Sequence, residues 1–262
     1  MSVNEKIIIP VFHLMVKYKP RLAPLLPEDD DDDEIDSREL AHEIIRGFPW
    51  PIGIEFRRLF TADCSSLNRG RLDQILKTVE RIAQFIAFVL LSQLLEESLK
   101  RDIALPDDFK KEFKSRFSTP SLGTYIWLIQ KAGRIFASHG IEPFIPEMKP
   151  LLTKQFMKKL LPWTPIRNEI SHYLVNLDEQ EIQIRCYEYQ ESLCDMLKDI
   201  AFLVKYPLVT ISEIRVCKRK RQPVSYSHNI KRLNNITSNF AGKQRDYETF
   251  ADNHSVLLLR SA

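Results

Sequence analysis

The chain has 262 residues, of which 44% are hydrophobic and 28% are charged, as is usual for a soluble globular protein. Seven glycines against fifteen prolines favour long helices joined by proline-marked connections, because glycine-rich turns are scarce. The formal net charge of +3 is too small to indicate a nucleic-acid partner by itself.

The cysteines and the apolar segments predict the cellular localisation of the protein. Cys64, Cys186, Cys194 and Cys217 form no CxxC pair and have no metal-ligand spacing with histidine, so we expect no metal site and a reduced, cytoplasmic protein. The N-terminus lacks the basic region and long apolar stretch of a signal peptide. The most apolar run, 82–95, is about 14 residues long. Such a run fits a buried helix and is too short to span a bilayer, so we predict no membrane partner.

Residues 1–67 are predicted to form an N-terminal segment that contains an acidic loop. The loop sequence is EDDDDDE, residues 28–34, and its like charges repel one another, which is typical of a solvated loop. A metal site, or an acidic segment that occupies a basic groove, are weaker interpretations. After the acidic loop, the sequence of residues 38–61 predicts a short helix before Gly47, and FPWP at 48–51 predicts an ordered connector.

Residues 68–206 are predicted to form a helical bundle. The longest helix, from about Arg71 to Ser98, has apolar residues at i, i+3, i+4 and i+7 spacing. This core-facing stripe consists of Leu72, Ile75, Leu76, Val79, Ile82, Ala83 and Ile86. From Phe85 onward the helix is apolar on nearly all sides, which indicates deep burial or a subunit interface. The other predicted helices are one after Pro106, one from about Pro120 to Gly140, one from about Leu151 to Leu161, and one from Asp178 to Tyr206.

Residues 207–262 are predicted to form a basic, β-rich C-terminal extension. Their β-branched and alternating stretches, LVTISEIRVCKRKRQPVSYSHN and SVLLLRS, are typical of strands. Residues 212–262 hold ten Lys or Arg against four Asp or Glu, a net charge of +6. The densest basic cluster is Lys218, Arg219, Lys220 and Arg221. It is interpreted as a solvated strand end or hairpin, with a patch that contacts RNA or another phosphate as the alternative. The predicted fold class is therefore mainly α, with a small β-containing extension.

One helical stretch, TPIRNEISHY at residues 164–173, gathers residue types that carry chemistry. Thr164 is a predicted N-cap, with Pro165 at the first helical position. At about 100° per residue, one quadrant of this helix faces the core. The residues of that quadrant are Ile166, Ile170, Tyr173 and Leu177.

Polar residues occupy the opposite side of the same helix. Asn168 and His172, four positions apart, lie next to each other there, and Arg167 and Ser171 flank them. Val175 lies close by, and an apolar residue at that place indicates that a second subunit or another helix covers this face. Arg167 and His172 are five positions apart, about 140° around the helix. They can act on one group only if the long arginine side chain extends towards the histidine and a phosphate lies between them.

These residue types suit cleavage of RNA without a metal ion or other cofactor. Such cleavage needs a base for the 2′-hydroxyl proton, an acid for the 5′-leaving oxygen and a cation for the phosphorane. His172 titrates near neutral pH and can move the protons, whereas Arg167 is always charged and matches phosphate geometry. Asn168 could orient His172 or the phosphate, and Ser171 is a weaker phosphate-binding candidate. One chain offers one such histidine, so a symmetric homodimer would complete the acid–base pair.

The sequence RNEISH, residues 167–172, resembles the Arg-x4–6-His motif of the HEPN superfamily, in the Arg-Asn-x3-His form common among its ribonucleases. The resemblance covers roughly residues 68–206 and implies an antiparallel helical bundle, a long final helix and an active site at a homodimer interface. It also implies an RNA endonuclease that serves as an effector in a microbial defence or toxin system. In the toxins paired with nucleotidyltransferase antitoxins, a tyrosine two residues after the histidine accepts AMP. Leu174 occupies that position here, so regulation by AMPylation is not supported.

Two further interpretations stay open beside the ribonuclease. One is a non-catalytic HEPN module for protein interaction or nucleotide sensing, in which a regulatory protein or a nucleotide is the partner. The other is an RNA-binding protein that uses the basic C-terminal extension, to which His228 and His254 would be minor contributors. Asp73 and Glu80 of the long helix are candidates to approach the site across the bundle.

Overall fold

The computed structural model describes residues 2–26, 36–173, 177–233, 242–247 and 256–259 of the chain, without the side chains of 171–173, 242–245 and 247. The acidic run predicted as a solvated loop, residues 28–34, lies outside this range. The described part is mainly helical with one small sheet, which confirms the predicted fold class.

In the described part of the chain, the helices come first and the strands follow them. The helices, in chain order, are α1 (Glu5–Tyr18), α2 (Ser37–Gly47), α3 (Trp50–Leu59), α4 (Arg69–Lys100), α5 (Asp107–Arg116), α6 (Leu122–His139), α7 (Lys154–Leu160), α8 (Trp163–Tyr173) and α9 (Glu179–Asp199). Short 3-10 helices cover Pro20–Leu25, Ala62–Cys64, Pro146–Leu152 and Ala201–Lys205. The strands are β1 (Leu208–Cys217), β2 (Ser225–Arg232), β3 (Gly242–Tyr247) and β4 (Val256–Leu258).

The chain divides into two compact units, which we call the bundle unit, residues 1–7 and 58–200, and the sheet unit, residues 8–57 and 201–262. This division differs from the predicted ranges 1–67, 68–206 and 207–262, which followed changes in composition along the chain. Packing instead joins segments that are distant in sequence. The ring of Tyr18, for example, lies edge-on to Phe202 at a centroid distance of 6.4 Å, inside the sheet unit.

The bundle unit is built around α4. Asn68 caps this helix by accepting a hydrogen bond from the backbone N–H of Arg71 at 2.8 Å. The predicted apolar stripe is confirmed, because all of its members are buried, and α6 and α9 pack against the helix. By length and composition α4 could also cross a membrane, a property that it shares with the core helices of other bundles.

A buried arginine at the start of α4 ties the bundle unit together. The side chain of Arg71 is fully buried and donates to four oxygens of neutral groups, and among the described residues it has no carboxylate partner. The acceptors are Gln190 Oε1 at 2.9 Å, Asn4 Oδ1 at 2.7 Å, the Cys64 carbonyl at 2.6 Å and the Val3 carbonyl at 3.3 Å. Burial lowers the pKa of Arg71 to about 10, since a guanidinium loses hydration there.

The sheet unit packs its helices and a four-stranded antiparallel sheet with the strand order β3-β2-β1-β4. The phenyl rings of Phe48 and Phe56 meet at 5.1 Å inside its core. Gly47 ends α2 where space is short, because a Cβ atom there would lie 2.7 Å from Met15 Cε and 3.4 Å from a methyl carbon of Val204. A side chain at residue 47 would therefore push these neighbours apart.

Several local predictions differ from the structure. Of the connector expected at 48–51, Phe48 and Pro49 do link α2 to α3, whereas Trp50 and Pro51 already belong to α3. Pro51 fits the first turn of α3, where a missing N–H costs nothing. α8 begins at Trp163, so Thr164 is helical rather than an N-cap. The final helix expected to reach Tyr206 ends at Asp199 and continues as a 3-10 helix.

The strands predicted within 208–229 and 255–261 are confirmed as β1, β2 and β4 among the described residues, and β2 extends three residues further, to Arg232. β3 was not predicted, because its sequence GKQRDY has no apolar alternation. It forms by backbone pairing along β2, from Tyr226 opposite Tyr247 to Lys231 opposite Gly242.

Replacement of Arg71 by methionine should destabilise the protein strongly. Arg71→Met keeps an apolar stem but leaves buried oxygens of Asn4, Cys64 and Gln190 without donors, at about 1–3 kcal/mol each. We expect the free energy of unfolding, measured by urea denaturation, to fall by about 3 kcal/mol. Arg69→Met changes an exposed arginine in the same helical turn and should alter it by less than about 0.5 kcal/mol. Equal effects of the two substitutions would contradict the role assigned to Arg71.

Candidate functional site

α8 is held against the bundle by its apolar side. Trp163 and Ile170, two turns apart, are buried, and the Trp163 ring packs on Tyr189 of α9 at 5.5 Å. The predicted core stripe is confirmed at Ile170, and Ile166 one turn before it is half-buried. Leu177, predicted to continue the stripe, lies outside α8 and is half-buried. The Tyr173 side chain lies outside the described residues.

The polar side of α8 carries the predicted site. Asn168 is exposed, as predicted, and the Arg167 side chain is 37% exposed with Nε 3.6 Å from Glu80 Oε2 on α4. His172 lies in α8 one turn after Asn168. The side chains of His172 and Ser171 belong to the part that the structure does not describe, so their predicted roles stay predictions.

Glu80 fixes the resting position of Arg167. The two side chains are only partly covered, at 37% for Arg167 and 30% for Glu80, and such solvent-accessible pairs stabilise proteins by about 0–1 kcal/mol. The ion pair with Glu80 therefore holds Arg167 only weakly. Glu80 was predicted to approach the site and does so. Asp73, the other acidic candidate on α4, has its carboxylate 3.9 Å from Lys77.

Polar contacts continue from Glu80 along α4 towards α6. Arg81 donates a hydrogen bond to Gln84 Oε1, and Gln84 Nε2 donates to the Tyr125 hydroxyl at 2.9 Å. Burial and then the charge of Glu80 raise the pKa of Tyr125, which keeps its phenol protonated. The Tyr125 hydroxyl is thus a neutral hydrogen-bonding group beside the acidic partner of Arg167.

A second ion-pair network fixes α8 from its other flank. Arg185 of α9 binds Glu169 at 2.9 Å and Glu181 at 2.8 Å, and the hydrogen bond that Arg185 donates to Glu169 is the main cause of the raised pKa of Arg185. Sequence reasoning missed this network, although the i,i+4 spacing of Glu181 and Arg185 was a visible signal. Arg185 therefore helps to set the angle at which α8 presents Arg167 and Asn168.

The basic cluster Lys218–Arg221 lies in the turn between β1 and β2. All four side chains are exposed, and Arg221 adopts the left-handed conformation with φ of 65°, which confirms the solvated hairpin. His228 is buried in β2, with Nδ1 3.0 Å from the Tyr226 carbonyl, so the prediction that it contacts RNA is wrong. His254 lies outside the described residues. In the described ranges, no group of three His, Cys, Asp or Glu is placed to hold a metal ion.

No family model, no curated protein and no solved structure matches the chain. The candidate site therefore depends on its own residues and their positions.

The weakness of the Arg167–Glu80 pair can be measured by a double-mutant cycle of Arg167→Gln and Glu80→Gln. We expect a coupling energy of about 1 kcal/mol or less in urea denaturation, because both groups remain partly hydrated. A parallel cycle with Arg185→Gln and Glu169→Gln provides a reference, since that pair has a shorter distance and a more buried arginine. A coupling above about 2 kcal/mol for Arg167 and Glu80 would mean that Arg167 is committed to a structural role.

Proposed function

We propose that the protein is a metal-independent RNA endonuclease of the HEPN type, acting in the cytoplasm as an effector of a microbial defence or toxin system. The observation that carries this proposal is the placement of the RNEISH motif. Asn168 is exposed on the side of α8 opposite the buried Ile170, and Arg167, at the edge of that side, is partly exposed. Among the described residues, the ion-pair partner of Arg167 is a partly hydrated carboxylate. An arginine held in this way is ready to bind an RNA phosphate.

The reaction is an internal transfer of the phosphate. The 2′-hydroxyl loses its proton and attacks the adjacent phosphorus, the bond to the 5′-oxygen breaks, and that oxygen takes up a proton. The products are a 2′,3′-cyclic phosphate and a 5′-hydroxyl. Arg167 stabilises the extra negative charge on the phosphorane, and Asn168 orients the phosphate or the imidazole.

Two histidines are needed for the two proton transfers. His172 of one protomer takes the proton from the 2′-hydroxyl, and the partner subunit's His172 donates one to the leaving oxygen. A twofold axis beside α8 would bring the two copies together, since a symmetric dimer presents the same face from each subunit. This arrangement explains why one chain supplies a single histidine to the motif.

A second candidate is RNA binding by the hairpin Lys218–Arg221. Its four exposed cations support binding of a phosphate backbone without sequence preference. The two candidate functions predict different effects of substitution. Loss of the hairpin cations would weaken RNA binding, whereas loss of Arg167 or His172 would stop RNA cleavage.

RNA cleavage by the variants Arg167→Ala and His172→Ala tests the proposal. Each substitution should lower the rate on a mixed single-stranded RNA pool by about 100-fold or more, because a transition-state cation or a proton-transfer group is lost. Arg134→Ala and His139→Ala remove exposed residues of α6 and should leave the rate unchanged. The dimer should persist in all four variants in sedimentation velocity.

Two results would contradict this proposal. A wild-type protein that binds the RNA pool without cutting it would favour the hairpin, especially if Lys218→Ala with Arg221→Ala released the RNA. Unchanged cleavage in both Arg167→Ala and His172→Ala would show that another site performs the reaction.

A further inference from the structure

Three aromatic side chains from three segments of the bundle unit pack against one another. The ring centroids of Phe88 on α4, Phe117 directly after α5 and Tyr125 on α6 are 6.0 to 6.4 Å apart, and the ring planes are tilted by 57° to 70°. Aromatic pairs favour such tilted and edge-on arrangements. Phe113 of α5 extends the group, since its ring stacks on Phe117 at a centroid distance of 4.3 Å. We call Phe88, Phe117 and Tyr125 the aromatic triad.

The aromatic triad is firmly packed and still reaches the solvent. Tyr125 is buried and Phe117 is half-buried, whereas Phe88 is 41% exposed. Because two neighbouring rings support the Phe88 ring, it loses little conformational freedom when a ligand covers it. A supported aromatic ring with an accessible surface is suited to stacking against another planar group.

One side of α4 connects the aromatic triad to the candidate site. Glu80, Gln84 and Phe88 follow one another at intervals of four residues, so they lie along the same side of the helix. Glu80 forms the ion pair with Arg167, and Gln84 donates a hydrogen bond to the Tyr125 hydroxyl at 2.9 Å. Eight residues of helix rise by about 12 Å, so Phe88 lies about two helical turns from the carboxylate that contacts Arg167.

Positive charge surrounds the aromatic triad on α5. Residues 110–117, KKEFKSRF, carry four exposed Lys or Arg against one Glu, and Lys114 and Arg116 lie closest to Phe117 in sequence. The one acid, Glu112, lies 3.6 Å from Arg116 Nε. The two aspartates of α5 lie in its first turn, at the opposite end of the helix from Phe117. Proteins that bind single-stranded nucleic acids combine cations for the backbone with aromatic rings for the bases, and this surface contains both.

We propose that Phe88, supported by Phe117 and Tyr125, stacks on an unpaired base of the RNA strand whose phosphate binds Arg167. The inference rests on the proposed function, because contact with Arg167 places the RNA. An aromatic ring accepts any base, while Lys114 and the other cations of α5 attract the backbone. The site therefore selects single-stranded RNA without a strong sequence preference, since bases inside a duplex stack on one another.

Binding of a short single-stranded RNA with 2′-O-methyl riboses tests the site without cleavage, because the attacking hydroxyl is blocked. Phe88→Leu should weaken this binding about ten-fold in fluorescence anisotropy, since it keeps an apolar side chain and loses the ring. Phe88→Trp should bind as tightly as the wild type. Leu99→Ala changes another exposed apolar residue of α4, 84% exposed, and should leave binding unchanged. Equal binding by Phe88→Leu and the wild type would overturn the site.

A readout on wild-type protein avoids dependence on the folding of variants. 5-Iodouridine forms a crosslink under ultraviolet light to an aromatic residue that stacks on it. An RNA strand with this base at successive positions should crosslink to Phe88, as located by mass spectrometry of the peptides. Crosslinks confined to other residues at every position of the base would overturn the stacking site.

Cleavage assays separate failure of this site from failure of the proposed ribonuclease. Phe88→Leu should raise KM about ten-fold and leave kcat unchanged, because a base that stacks away from the reacting phosphate contributes equally to the bound substrate and the transition state. Normal cleavage with an unchanged KM would overturn the stacking site and leave the ribonuclease standing. Binding of the 2′-O-methyl strand that depends on Phe88, in a protein that cuts no RNA, would overturn the ribonuclease and support the stacking site.

Sedimentation velocity tests whether a second copy of the chain covers this face instead. Leu95 and Leu99 are exposed on α4 beyond Phe88, so contact between copies would bury them as well. The double variant Leu95→Ser and Leu99→Ser should sediment as the wild type does. Dissociation of this variant and of Phe88→Leu to a smaller species would assign the face to contacts between copies and overturn the stacking site.

Discussion

The buried guanidinium of Arg71 is the constraint on which the bundle unit depends. It joins the N-terminal residues Val3 and Asn4, the turn at Cys64 and Gln190 of α9 to the first turn of α4. A charge with only neutral acceptors is costly to bury, so it is tolerated only while every donor is satisfied together. This requirement fixes the axial position of α9 along α4.

The candidate site follows from that alignment. Tyr189, next to Gln190 on α9, supports Trp163 at the start of α8, and Arg185 one turn earlier binds Glu169. Glu80 lies nine residues after Arg71 on α4, and its carboxylate forms an ion pair with Arg167 of α8. Arg167 is therefore positioned by the packing of α4, α8 and α9, while its own ion pair is weak enough to be exchanged. A site with a firmly placed helix and a loosely held cation fits a substrate that brings its own negative charge.

The features that follow a local period were predictable from the sequence, and those that depend on distant partners were not. The apolar stripe of α4 and the exposure of Asn168 follow from helical geometry alone. Arg71 looks like an ordinary charged residue near a helix start, since its acceptors lie up to 119 residues away in sequence. β3 exists because β2 offers a free edge, and its own residues carry no strand pattern.

The chemical nature of the RNA ends produced by the wild-type protein tests the central claim most directly. Attack by a 2′-hydroxyl leaves a 2′,3′-cyclic phosphate on one product and a 5′-hydroxyl on the other, whereas hydrolysis by an activated water leaves a phosphate monoester and no cyclic end. RNA treated with the protein in the presence of EDTA should carry the cyclic phosphate, as detected by mass spectrometry of the fragments. Products with 3′-hydroxyl and 5′-phosphate ends, formed only when a divalent metal is supplied, would contradict the ribonuclease mechanism assigned to the RNEISH motif.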